Sequence, residues 1–211
     1  MKKSFAVSLV TVLAFCATQL SGAEPNKKTN EANKLAREGA DAAKNQDWNK
    51  AIESLRKAAD MDHKYSDELS AVYQQRGYAA ASNKQLQDAI NDYSEAAKLT
   101  PKDVRVYEQR AAVEMKLQDY DKALADYSEV IKLKPNEVRY LNYRAYIYEL
   151  KKDYKNSMAD SEKVLKVDPK NQEASGRKSR LDAIQAANAP LPPPPPQKRA
   201  AKTSPPPAHK P

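Results

Sequence analysis

Glycine and cysteine are scarce in this 211-residue chain, which has four of the first and one of the second. Gly22, Gly39, Gly77 and Gly176 stand far apart, so no glycine-rich loop can cradle a phosphate. Cys16 sits in an N-terminal apolar run. Once that run is removed the chain can form no disulfide and hold no thiolate-bound metal. Histidine is limited to His63 and His209, and nothing near His63 supplies a nucleophile elbow. His63 with Asp60 and Asp62 could be taken for a metal site, but a lone solvated histidine accounts for it. The N-terminal apolar run extends only from Phe5 to Ala17. That is short of the ~20 apolar residues that a bilayer-spanning helix needs. These absences argue against an enzyme, a cofactor, a metal and stable membrane insertion.

The two ends differ in character from the middle. Lys2 and Lys3 precede the apolar run, and Ser21-Gly22-Ala23 offers the small residues that a signal peptidase accepts. Residues 1–23 therefore read as a secretory signal cleaved after Ala23, which makes the protein periplasmic or secreted. An uncleaved anchor is the rival reading. Phe15 stands before Cys16 where a lipoprotein signal has a small residue, which argues against lipidation. Ten of the 14 prolines lie between Pro190 and Pro211, so 189–211 reads as a disordered, polyproline-II tail. Its Lys198, Arg199, Lys202 and Lys210 carry four of the eight net positive charges. Lys2 and Lys3 carry two more, which leaves +2 for residues 24–189. A nucleic-acid binder would show a dense basic stripe on its folded part, so nucleic acid is not an expected partner.

What the middle has is a repeat. Pro101, Pro135 and Pro169 recur at one constant interval of thirty-four, and Leu99, Leu133 and Val167 each lie two places before one of them. Tyr93 and Tyr127 share this phase, as do Ala89, Ala123 and Ser157. Such a period means one supersecondary unit copied in tandem. Within 104–137, Tyr107, Ala111, Glu114/Met115 and Leu117 recur at helix spacing, and Gln118-Asp119 interrupts them with a residue suited to open a helix. Tyr120, Ala123, Leu124, Tyr127, Val130 and Ile131 then form a second stripe, which Lys134-Pro135 stops. Asn136 is placed to cap the next helix. Each unit is a helical hairpin whose apolar faces are buried by stacking.

These residues resemble the tetratricopeptide repeat family. Residues 104–137 match its pattern with Tyr107, Ala111, Tyr120, Ala123, Tyr127, Val130 and Pro135. Residues 70–103 match with Tyr73, Gly77, Leu86, Ala89, Tyr93, Ala96 and Pro101. Residues 138–171 match with Leu141, Ala145, Tyr154, Ser157, Ser161, Val164 and Pro169. A divergent copy spans 32–69 with Leu35, Gly39, Trp48, Ala51, Leu55 and Ala58, with His63 in place of proline and four extra residues near Ser66 to Leu69. Those four are expected to lengthen its last helix or the turn after it. A lead at 24–31 is expected to be flexible, and 172–188 to be a capping helix with Ala174, Leu181 and Ile184 inward. The resemblance implies an all-α, right-handed α-solenoid of four hairpins plus the cap, whose first helices line a concave groove for peptides.

Two residue sets follow. Arg76, Arg110 and Arg144 are each followed, always at the same offset, by an acid: Asp92, Asp126 and Asp160. The first copy has Glu38 and Ser54 at these places. We expect structural Arg–Asp pairs, with a ligand-binding arginine ladder as the rival. Counting round the first helices puts Gln74, Gln75, Tyr78, Ser82, Arg105, Glu108, Gln109, Ala112, Lys116, Arg139, Asn142, Tyr143, Tyr146 and Glu149 on the groove. The three tyrosines are the candidate anchors. The family's lysine–asparagine–arginine clamp for a chaperone's terminal carboxylate is missing, since its places hold residues such as Ala36, Ala40 and Gln75. The expected function is a scaffold that holds a peptide or protein partner in the groove. The alternative is a rigid spacer that presents the Pro-rich basic tail to an envelope partner or anionic surface. The sequence leaves open the oligomeric state.

Overall fold

The computed structural model describes residues 23–188, so residues 1–22 of the expected signal and the tail at 189–211 lie outside the described residues. Those residues form α1 (Ala23–Lys44), α2 (Trp48–Met61), α3 (Ser66–Ser82), α4 (Leu86–Leu99) and α5 (Val104–Lys116). They continue with α6 (Tyr120–Leu133), α7 (Val138–Leu150), α8 (Tyr154–Val167) and α9 (Gln172–Ala187). A 3₁₀ turn, His63–Tyr65, joins α2 to α3, and no strand occurs among the described residues. Successive helices pack on one another in chain order, α1 on α2 through α8 on α9. The result is an all-α solenoid of four hairpins closed by α9.

Local chemistry sets the boundaries. The side chains of Asp47, Asp119 and Asp153 each accept a hydrogen bond from a backbone N–H in the first turn of α2, α6 and α8. Such caps satisfy donors that the helix itself cannot. Asp103 and Asn171 do the same for α5 and α9. Asn136 does not cap α7: the cap position is Glu137, one residue later, and it makes no side-chain cap bond. At the other ends α4, α6 and α8 stop two residues before Pro101, Pro135 and Pro169, because the residue before proline avoids helical geometry.

Each hairpin turns through a left-handed residue that is not glycine: Gln46, Lys84, Gln118 and Lys152, with φ of 60 to 63°. The next residue's N–H reaches back over the turn, as in Asp119 N to Glu114 O (2.9 Å) and Asp153 N to Tyr148 O (2.8 Å). That bond satisfies a terminal carbonyl in the manner of a Schellman motif. The scarce glycines are used elsewhere. A Cβ at Gly77 would lie 3.0 Å from Tyr93 Cε1, and one at Gly39 would lie 2.6 Å from Leu55 Cγ. The two helices of each of those hairpins cross too closely for a side chain there.

Opposite these points sit Ala51, Ala89, Ala123 and Ser157, all with no exposed surface. Ser157 and Ser161 break the apolar pattern without leaving a hydroxyl unpaired. Their Oγ atoms donate to the carbonyls of Ala145 (2.8 Å) and Ser157 (2.9 Å). Ala123→Leu is expected to overpack the α5–α6 crossing and to cost about 1–3 kcal/mol. Urea denaturation of the variant measures it, and an unchanged midpoint would contradict the packing described.

Two expectations need correction. Residues 24–31 are helical and continue α1 toward the N-terminus from its first buried residue, Ala32, so they are not a flexible lead. The four extra residues lengthen neither α2 nor a turn. They form the first turn of α3, which has 17 residues where α5 and α7 have 13. Leu69 and Tyr65 are buried there and hold that extra turn against the core. In α9, Ala174 and Leu181 point inward and Ile184 is half-buried.

Candidate functional site

The three arginines and their acids are bonded bidentately. Arg76 Nε and Nη2 donate to Asp92 at 2.8 and 2.6 Å, and Arg110 does the same to Asp126. Arg144 donates to Asp160 at 2.7 and 2.9 Å. All three carboxylates are buried, and each holds its guanidinium pKa above the ordinary value by accepting these bonds. The third nitrogen reaches the preceding hairpin: Arg110 Nη1 to Ser94 Oγ (3.0 Å) and Arg144 Nη1 to Ser128 Oγ (3.1 Å). Arg76 Nη1 reaches Asn49 Oδ1 (3.3 Å). Each guanidinium therefore touches three helices, and all three of its nitrogens are committed to structure rather than offered to a ligand.

The residue beside each pair varies. Ala80, Glu114 and Tyr148 occupy the same phase. Ala80 leaves a depression of about 440 Å³ beside Arg76 and Asp92. Tyr148 brings its ring to 5.9 Å from Arg144. Glu114 is buried, and its Oε2 has no hydrogen-bond partner. Burial first, and then the charge of Asp126, pushes its carboxyl up to about 7.

The residues expected on the groove fall into two groups. Toward the N-terminus, Gln74, Gln75, Tyr78, Arg105 and Gln109 gather on α3 and α5 around a depression of about 530 Å³. Trp48, the first residue of α2, closes one side of it together with Gln46, Ala71 and Ala79. Gln109 Oε1 is buried here without a hydrogen-bond partner. Arg105 is exposed and bound to Asp103, whose carboxyl it holds below the usual range. The sequence placed Trp48 in the repeat pattern of the first copy and not on the groove. Its place next to the turn was the signal that it could serve both sides.

Toward the C-terminus most of the polar residues bind one another. Arg139 Nη2 lies 3.1 Å from Glu108 Oε1, and Tyr140 Oη donates to Glu108 Oε2 at 3.0 Å, which ties α7 to α5. Asn142 is buried, so it is not a groove residue: its Oδ1 accepts from Arg177 Nη1 and its Nδ2 donates to Asn171. Glu149 accepts from both Arg177 and Arg180 of α9. Arg177, 2% exposed, is thus the residue that seats the capping helix. It was missed because it falls one position short of a full repeat after Arg144 and so drops out of the count.

Tyr78, Tyr143 and Tyr146 remain exposed at 65%, 42% and 47%. Tyr143 also leans on the Tyr127 ring, with 5.5 Å between centroids. Lys116 lies at the end of α5, outside the depression. The site as a whole offers an aromatic-edged, carboxamide-rich surface on the first helices. No catalytic arrangement joins these side chains.

Comparison with known proteins accords with this geometry. One family model, tetratricopeptide repeat, matches residues 104–137, and a second of the same description matches 70–103 and 138–171. The chain is 30% identical to the Arabidopsis OM64 TPR domain, covering 56% of this chain and 98% of that one, with a TM-score of 0.49. It is similar to YrrB, a TPR protein with an unusual peptide-binding site, at 15% identity and TM-score 0.54. That likeness covers 78% of this chain and 82% of YrrB. It is also similar to the first TPR of Spaghetti (RPAP3), bound to the HSP90 peptide SRMEEVD, at 18% identity and TM-score 0.51. There 57% of this chain and 95% of the other are covered. A search of curated proteins returned no match.

Proposed function

This chain belongs to the tetratricopeptide repeat family, and we propose that it is a non-catalytic adaptor, exported from the cytoplasm, that holds a peptide or protein partner on its first helices. Tetratricopeptide-repeat proteins generally mediate protein–protein interaction, and peptide binding by two of the similar structures supports the same class of partner here. The observation that carries the reading is the depression lined by Trp48, Gln74, Gln75, Tyr78, Arg105 and Gln109. Its aromatic edges and the exposed Gln75 carboxamide suit the backbone and side chains of an extended segment. With Ala36, Ala40 and Gln75 at the clamp places, the partner is not expected to be recognised by a terminal carboxylate. The basic start, short apolar run and Ser21-Gly22-Ala23 support export.

A photo-crosslinking side chain at Tyr78 or Tyr146 tests this in the intact cell. A discrete adduct from these positions, and none from exposed Lys98 on α4, is the expected result. Replacing Tyr78 and Tyr146 together with alanine is expected to lower capture of that adduct's partner at least tenfold while the melting temperature stays within about 2 °C, as for exposed substitutions generally. Undiminished capture would contradict the proposal. The export arm is read by the N-terminus of the purified protein, expected at Glu24.

A further inference from the structure

The space beside an Arg–Asp pair is filled from within the chain in two hairpins and left open in one. Ala80, Glu114 and Tyr148 each follow their arginine by one helical turn, so all three start from the same point on a first helix and face their own pair. In the last hairpin Tyr148 puts a half-buried ring there, its centroid 5.9 Å from Arg144 Cζ. In the second hairpin Ala80 ends at its methyl group, and the depression of about 440 Å³ remains. Trp48 walls it from α2, Asn83 and Gln85 from the turn, and Asn91 from α4. Trp48 opens α2 as Tyr120 opens α6, so an aromatic residue holds the same place in the helix before each of these two hairpins. Trp48 and Ala79 also line the depression that carries the proposed function, so the two depressions adjoin.

We infer that the depression beside Arg76 seats one aromatic side chain of the partner, as Tyr148 is seated in its own hairpin. This rests on the proposed reading of the α3–α5 depression, from which a bound segment reaches the second one across Trp48 and Ala79. Charge selects a ring over the alternatives. Glu114 shows what a carboxyl meets in this space: it is buried, and its Oε2 has no hydrogen-bond partner. A partner's cation would face Arg76, whose side chain is 33% exposed, and the nearby Asp88 charge already acts on that arginine. A ring carries no charge to desolvate. It needs none of the Arg76 nitrogens, only the guanidinium face and the Trp48 indole to pack on. The buried Tyr73 ring, 5.7 Å from Arg76 Cζ, does not line the depression and leaves it free. At the rim the carboxamides of Asn83, Gln85 and Asn91 can bond a phenol hydroxyl.

Nuclear magnetic resonance of the full chain tests this, with N-acetyltyrosinamide as the probe. Trp48 is the chain's single tryptophan, so its indole N–H gives one signal. That signal is expected to shift saturably, with a dissociation constant of order 1 mM for a ligand of this size. The side-chain amides of Asn83 and Asn91 should shift with it. Those of Gln74 and Gln75, which line the other depression and not this one, should hold. In Ala80→Tyr, which supplies the ring from within, the indole signal should start displaced and its response to the probe should fall at least tenfold. A melting curve checks that this variant folds, and the wild-type pattern of shifts decides by itself if it does not. An unmoved indole, shifts at Gln75 in place of Asn83, or an undiminished response in folded Ala80→Tyr would overturn the inference. So would a larger response to the lysine or leucine amide. A crosslink from Tyr78 in the cell without a probe response would overturn this inference and spare the proposed function. A probe response without any crosslink would uphold the aromatic seat and remove the proposed function.

Discussion

Asp160→Ala is expected to destabilise the protein by about 3–5 kcal/mol, the cost of leaving a buried charge without its partner. Arg144 has 15% of its side chain exposed, and Asp160 has 3%, so water replaces little of what is lost. The neighbour in phase, Tyr148, offers a ring but no carboxylate. Asp126→Ala removes the same bidentate pair one hairpin earlier, yet the expected loss is smaller. Glu114 lies beside Arg110, and the charge of Asp126 is one of the causes that raise its carboxyl above the usual range. With Asp126 gone, Glu114 ionises more readily and supplies a substitute anion. Urea denaturation at pH 7 of the two variants separates these outcomes. Equal losses would refute the compensation, and a loss under about 1 kcal/mol for Asp160→Ala would make the pair no better than a surface one.

Glu114→Gln carries the second large effect, and its sign depends on pH. The carboxyl titrates near 4.5 in the open chain and at about 7 when folded. Below pH 4.5 both states are protonated and the burial costs nothing in charge. As pH rises from 4.5 to 7 the unfolded chain releases its proton first, so folding stability falls. Above pH 7 the loss is complete at about 3 kcal/mol, from about 1.4 kcal/mol per pK unit. Glutamine cannot ionise. The variant is therefore expected to exceed the wild type by up to about 3 kcal/mol at pH 8 and to match it at pH 4.5. A difference that does not change with pH would sink the assignment, because it would reflect packing alone.

Much of the fold was legible because its signals are local and repeated. A proline that recurs at a fixed period stops a helix wherever it falls, and Asp119 caps its neighbour through a bond to the backbone of Lys122. Arg110 and Asp126 were legible for a related reason, since two copies of the same offset flank them. What could not be read lay where the period slips. The four residues at Ser66–Leu69 had three places to go, and the burial of Tyr65 and Leu69, a tertiary fact, put them in α3. Asn142 looked like a groove residue until Arg177, one position out of phase, was found against it. Glu114 reads as one more polar residue near a helix end, and its burial depends on the helices around it. The depression at Trp48 depends on three helices at once, which no single-helix count can give.

Because Arg110 and Arg144 each bind the helix behind and the helix ahead, neighbouring hairpins share a fastening that neither can release alone. α1 and α2 have no such fastening between them, since Glu38 and Ser54 stand at its places. Under tension applied between the two ends the molecule is therefore not a uniform spring. α1 yields at low load, α2 to α8 hold as one block because Arg76 reaches Asn49 on α2 in the same way, and a pulling trace should show one small step before one large one.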